Sequence, residues 1–137
     1  MHIDYLLKVA SERKASDLHL KVGSHPVIRI AGELVPLVEM KCLTSEDTIE
    51  MAFSIMSKRQ KQKFKDNLEI NIAYSVPGLG RFRANVFQQR GSAGLVLRVI
   101  PVKLLTIREL GLPLVIEKIA QETRGLILCT GTTGSGK

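Results

Sequence analysis

Tryptophan is missing from this chain, and all aromatic residues together make up only 4% of its 137 positions. Single-strand nucleic-acid binders stack bases on aromatic side chains, so nucleic acid is not an expected partner. Cysteine is almost as scarce: Cys42 and Cys129 stand far apart and match no metal or redox spacing. No Cys–His spacing suggests zinc, so no metal site is expected and both thiols read as reduced. His2 and His25 stand alone in the sequence, with no chemistry assigned to them. No apolar run approaches the ~20 residues of a bilayer-crossing helix, which argues against membrane insertion. The first residues, Met1 to Lys8, carry an early Asp4 and no sustained apolar core, unlike a signal peptide. Internal repeats and low-complexity segments are also lacking. What is present is an ordinary apolar content of 45% and a formal charge of +7, from 20 Lys+Arg against 13 Asp+Glu. The length suits one compact domain with little left over, and the charge taken alone suggests anionic partners (nucleotide phosphates, nucleic acid or an anionic membrane face), of which the scarcity of aromatic residues counts against nucleic acid.

Periodicity predicts an α+β fold. Ile3, Leu6, Leu7 and Ala10 recur at helical spacing over residues 3–14. Leu18, Leu20 and Val22 then alternate with Asp17, His19 and Lys21, a strand with one wet face on which Asp17 and His19 read as an outward polar pair. Residues 27–30 and 33–37 flank Ala31-Gly32 and read as a hairpin, with an unusual alanine at a turn position that favours positive φ. Thr44 caps a helix whose buried stripe is expected to be Ile49, Phe53 and Met56. Ser57 and Gln60 form a second capping box, so a break is expected near Met56. The helix that follows carries Lys58, Arg59, Lys61, Lys63 and Lys65 on what is most simply a solvated face, anchored by Phe64 and Leu68. From Leu68 onward the pattern is β: residues 70–76, 81–89 and 95–100, the last two joined through residues 90–94. Thr106 and Glu109 form a capping box on a short helix, and Pro113 opens another that stops at Gly125. Residues 1–100 thus read as a mixed α+β domain with an antiparallel sheet, 101–112 as a linker, and 113–137 as one helix, one strand and a loop.

The loop carries the sharpest chemistry. Gly131, Thr132, Thr133, Gly134, Ser135, Gly136 and Lys137 spell the phosphate-binding pattern G-x-x-x-x-G-K, the Walker A motif. Its glycines let backbone N–H groups point inward, and its lysine reaches the terminal phosphates. The apolar run from Gly125 to Thr130 is the kind of buried strand that feeds such a loop. A second cluster lies at Arg81, Arg83, Arg90 and Arg98. If the hairpin is centred on Arg90-Gly91, Arg83 lies directly across from Arg98 with both side chains on one face, an unfavourable arrangement for like charges. An anion between them makes sense of it, since each guanidinium offers a fork to phosphate oxygens. The plainer alternative is that each arginine has its own carboxylate or extends into water.

The stretches Ala15 to Leu20, Arg29 to Leu34, Gly80 to Arg83, Phe87 to Arg90, Leu97 to Pro101, Leu110 to Pro113 and Gly125 to Lys137 resemble, in order, the type IV pilus retraction motors of the secretion and pilus ATPase superfamily. The resemblance covers nearly the whole chain. It implies a PAS-like N-terminal domain, a linker and the opening of a RecA-like P-loop ATPase domain, in a cytoplasmic homo-hexamer. Such motors use ATP and Mg²⁺ to drive pilus disassembly and twitching motility, docking peripherally on an inner-membrane platform protein. By resemblance, Arg83 and Arg98 are the arginines that contact ATP phosphates held at Gly131 to Lys137; Arg81 and Arg90 are weaker candidates. Asn71 stands where the family often has an acidic residue. Alternatives are a pilus-extension or type II secretion ATPase, or a stand-alone PAS-like binding module. The chain stops at Lys137, before the Mg²⁺-binding hydroxyl and the water-activating carboxylates, so by itself it is expected neither to hydrolyse ATP nor to hold nucleotide tightly.

Overall fold

A computed structural model describes residues 2–101 and 105–131. The chain divides into two compact units, Met1–Val102 and Lys103–Lys137. The first unit holds helices α1 (Ile3–Glu12), α2 (Ser45–Ser54) and α3 (Lys58–Asn67) with strands β1 (Asp17–Leu20), β2 (Val27–Ile30), β3 (Glu33–Pro36), β4 (Glu69–Val76), β5 (Gly80–Gln89) and β6 (Ser92–Ile100). The strands form one six-stranded sheet in the order β3-β2-β1-β6-β5-β4, antiparallel at every pairing. Two meanders therefore meet at the β1–β6 pairing in the middle of the sheet.

Strand alternation sends Leu18, Leu20, Ile28, Ile70, Ile72, Phe82, Ala84, Val86, Leu95 and Leu97 into the core, together with Ile3, Leu6, Leu7 and Ala10 of α1, Met51 and Ala52 of α2 and Phe64 of α3. The helices thus cover one face of the sheet and leave the alternate residues of each strand on the other face. Helix α1 stops at Glu12 rather than residue 14, because Lys14 takes a left-handed φ of 53°. The capping boxes at Thr44–Asp47 and Ser57–Gln60 both form.

Three local expectations are corrected. In α2 the buried side is Asp47, Thr48, Met51 and Ala52. Ile49 and Phe53 only flank the core, and Met56, though buried, lies past the helix end. Leu68 does not anchor α3: it is the left-handed C-cap at φ 60° and is half exposed. The β5–β6 connection is only Arg90-Gly91, with φ of 51° and 77°, so β6 starts at Ser92. That tight turn is what fixes the register.

In the second unit, Thr106 and Glu109 bond reciprocally as a capping box, but they close a single turn and no helix follows. The helix expected from Pro113 to Gly125 is shorter, α4 (Val115–Ile119). Residues 126–130 form no strand, and Leu126, Ile127 and Leu128 are 83%, 58% and 74% exposed. An apolar strand of this type is stable only when paired at its edges and covered on its faces; no described residue of this unit supplies that partner. No helix among the described residues is long and apolar enough to cross a membrane.

Candidate functional site on the open face of the sheet

Across the uncovered face runs one cross-strand row. Leu34 lies opposite Arg29, Arg29 opposite Asp17, Asp17 opposite Arg98, Arg98 opposite Arg83, and Arg83 opposite Ala73. Directly opposed residues project to the same side, so three arginines and one aspartate share a line across neighbouring strands. The expected opposition of Arg83 and Arg98 is present. Arg81 lies two positions along β5 on the same face, opposite Ile100. Arg90 sits in the hairpin turn and does not join the row.

Charge within the row is unevenly matched. Asp17 lies on the open face, as strand alternation suggests, yet it is only 4% exposed, because it sits between Arg29 and Arg98. Arg98 Nε donates to Asp17 Oδ1 at 2.9 Å, Ser16 Oγ donates to Asp17 Oδ2 at 2.9 Å, and Arg29 Nε lies 3.5 Å from Oδ2. Arg29 also donates through Nη1 to the Gly32 carbonyl at 2.8 Å. Burial pushes the Asp17 carboxyl up, but the hydrogen bonds from Arg98 and Ser16 and the field of Arg98 outweigh it, leaving it below the usual carboxylate value. Arg98 keeps most of its side chain in solvent, at 71% exposure, and among the described residues only its Nε is engaged. Arg83 has no hydrogen-bond or ion-pair partner among the described residues. One carboxylate therefore serves Arg98 and Arg29, and Arg83 is left facing Arg98 uncompensated.

Asp17, Asn71, Arg83, Asn85, Val96 and Arg98 line a shallow depression of about 180 Å³ at this point. Its floor is polar and tied down: Asn85 Nδ2 donates to Glu69 Oε1 at 2.8 Å and to Asn71 Oδ1 at 3.4 Å. His19 is next to Asp17 on the same face, opposite Val27 and Val96, but does not line the depression. Burial and the nearby Arg29 hold its pKa below the ordinary histidine value, and its buried Nε2 has no hydrogen-bond partner among the described residues. Asp17 and Arg29 are the members that sequence reasoning missed. Alternation marks Asp17 as facing away from the core, but only the non-local insertion of β1 between β2 and β6 places it between two arginines.

Of the glycine loop, Gly131 is described, and Thr132, Thr133, Gly134, Ser135, Gly136 and Lys137 lie outside the described residues. Among the described residues, no group of three or more His, Cys, Asp or Glu side chains stands together that could hold a metal ion.

The open sheet face bears a partly unpaired arginine row, and comparison with known proteins finds pilus ATPases among those that the chain resembles. The crystal structure of a pilus retraction motor, PilT with bound ADP, superposes on the whole chain with a TM-score of 0.86 and 43% identity, covering 40% of that protein. In sequence, the chain is 41% identical over all 137 residues to the type IV pilus retraction ATPase PilT of Pseudomonas aeruginosa. It is 37% identical, again over its full length, to the type IV pilus ATPase PilU of the same organism. The chain spans 40% of the length of the first relative and 36% of the second. No protein-family model matches it.

Proposed function

We propose that this chain is the N-terminal part of an ATP-driven type IV pilus retraction motor in which Arg83 and Arg98 contact the phosphates of ATP held at Gly131 to Lys137. Residues 1–100 are then a PAS-like domain, 101–112 a linker and 113–137 the opening of a RecA-like domain. The parent protein is a cytoplasmic homo-hexamer docked on an inner-membrane pilus platform protein, and it powers twitching motility. The full-length likeness to PilT and PilU supports this reading.

The observation that carries the arginine assignment is the direct opposition of Arg83 to Arg98 on an open face with a single carboxylate between three guanidiniums. Opposed like charges are unfavourable without an anion, and a phosphate with several oxygens satisfies both forks at once. When bound, ATP supplies the phosphoryl group whose transfer to water drives the motor. The two arginines spread the negative charge on its oxygens. Asp17 holds Arg98 by Nε and leaves the terminal nitrogens outward, so it acts as a positioning residue. Among the described residues, no group of three or more His, Cys, Asp or Glu side chains stands ready to hold Mg²⁺.

A crystal structure of the longer protein with a non-hydrolysable ATP analogue tests this. Guanidinium nitrogens of both Arg83 and Arg98 should lie within hydrogen-bond distance of phosphate oxygens. Phosphates bound with both arginines directed elsewhere would overturn the assignment.

A further inference from the structure

Neither Cys42 nor His25 has a reactive partner nearby in the sequence, yet the fold brings them together. Backbone bonds from Gly23 N–H to the Leu43 carbonyl and from Leu43 N–H to the Ser24 carbonyl, both 2.9 Å, tie residues 23–26 to the segment following β3. Leu37 N–H adds a bond to the Pro26 carbonyl at 2.8 Å. On this clamp His25 Nδ1 lies 2.5 Å from the Met40 carbonyl. A carbonyl only accepts, so Nδ1 carries the hydrogen and the neutral ring presents Nε2 as an acceptor. Nε2 lies 3.6 Å from Cys42 Sγ, and Cys42 is exposed. The geometry is that of a nucleophile, a base and a group that orients the base. Cys129 is exposed as well, but no imidazole contacts it among the described residues.

We propose that Cys42 is a site of reversible thiol modification by small-molecule disulfides, with His25 as the proton acceptor. Cys42 gives its proton to His25 Nε2, and the thiolate attacks one sulfur of the disulfide. The S–S bond breaks as a new bond to Cys42 Sγ forms, and the departing thiolate recovers the proton from His25 or water. The incoming disulfide is itself the oxidant, so the exchange balances without another reagent. This site is independent of the arginine row.

Single-thiol variants Cys129→Ser and Cys42→Ser of this chain would be reacted at neutral pH with dithiodipyridine, which is neutral, and with glutathione disulfide, which is anionic. Cys42 should react roughly tenfold faster than Cys129 when folded, and the two rates should converge in urea. His25→Asn retains an amide donor for the Met40 carbonyl and removes the acceptor facing the thiol. In the Cys129→Ser background it should bring Cys42 down to the rate of Cys129. Equal rates in the folded chain, or a fast Cys42 unaffected by His25→Asn, would overturn the proposal.

Discussion

Asp17 makes the two arginines of the candidate site unequal. Removing Arg98 leaves a buried carboxylate with only Ser16 and a 3.5 Å approach from Arg29. Arg98→Ala should therefore cost about 1–3 kcal/mol of folding stability, the usual range for stranding a buried polar group. Arg83 has no partner to strand among the described residues, so Arg83→Ala should stay within about 0.5 kcal/mol of the parent. Urea titrations of the two variants check the asymmetry; equal losses would mean that Asp17 does not depend on Arg98. Acid provides a second check. Bonds from Lys41 and the Thr44 backbone lower Asp47 from 3.8 to about 2, and Asp17 is lowered too. Folded values below unfolded ones mean that the contribution of both carboxylates is complete above about pH 4. It is lost as pH falls through the folded values. Stability should drop between pH 3.8 and about 2, and Asp47→Asn should flatten part of that drop in an acid titration followed by circular dichroism.

Among the elements, those set by local chemistry were legible in the sequence. The caps at Thr44 and Ser57 follow from side chains within a few positions of one another, whereas the β5–β6 connection, expected over residues 90–94, is a two-residue turn at Arg90-Gly91. A turn centred on Arg90-Gly91 dictates the register of both flanking strands, and the Arg83–Arg98 opposition follows from that centre alone. Helix α2 was harder: its N-terminus was evident, but which side is buried depends on where β6 packs against it. The β2–β3 turn is the clearest local conflict, with Ala31 at φ 48° and Gly32 at φ 90°. A left-handed alanine costs roughly 1 kcal/mol, and asparagine is favoured at this position of a type I′ turn. Ala31→Asn should raise stability by about 0.5–1 kcal/mol. An unchanged or lower thermal midpoint would show that the turn carries no such strain.

At the level of the whole molecule, every residue of the hydrophobic core cluster lies between Ile3 and Leu97. A chain ending at Pro101 should therefore unfold cooperatively at the same urea midpoint as the full chain; a marked decrease would show that the second unit contributes to the first. The same scale explains what sequence left hidden. The row from Arg29 to Arg83 depends on β1 pairing with β6 across most of the unit's length, and no local pattern reports such a pairing. The apolar run at residues 126–128 has the composition of a buried strand, but composition supplies no neighbour for it to pair with. The central claim is that Arg83 and Arg98 serve one anion. Its most direct test is ATP hydrolysis by the longer protein in a double-mutant cycle of Arg83→Ala and Arg98→Ala. Each single variant should lose roughly a hundredfold in kcat/KM, and the double variant should lose much less than the product of the two. Losses that multiply, or single variants with unchanged turnover, would contradict it.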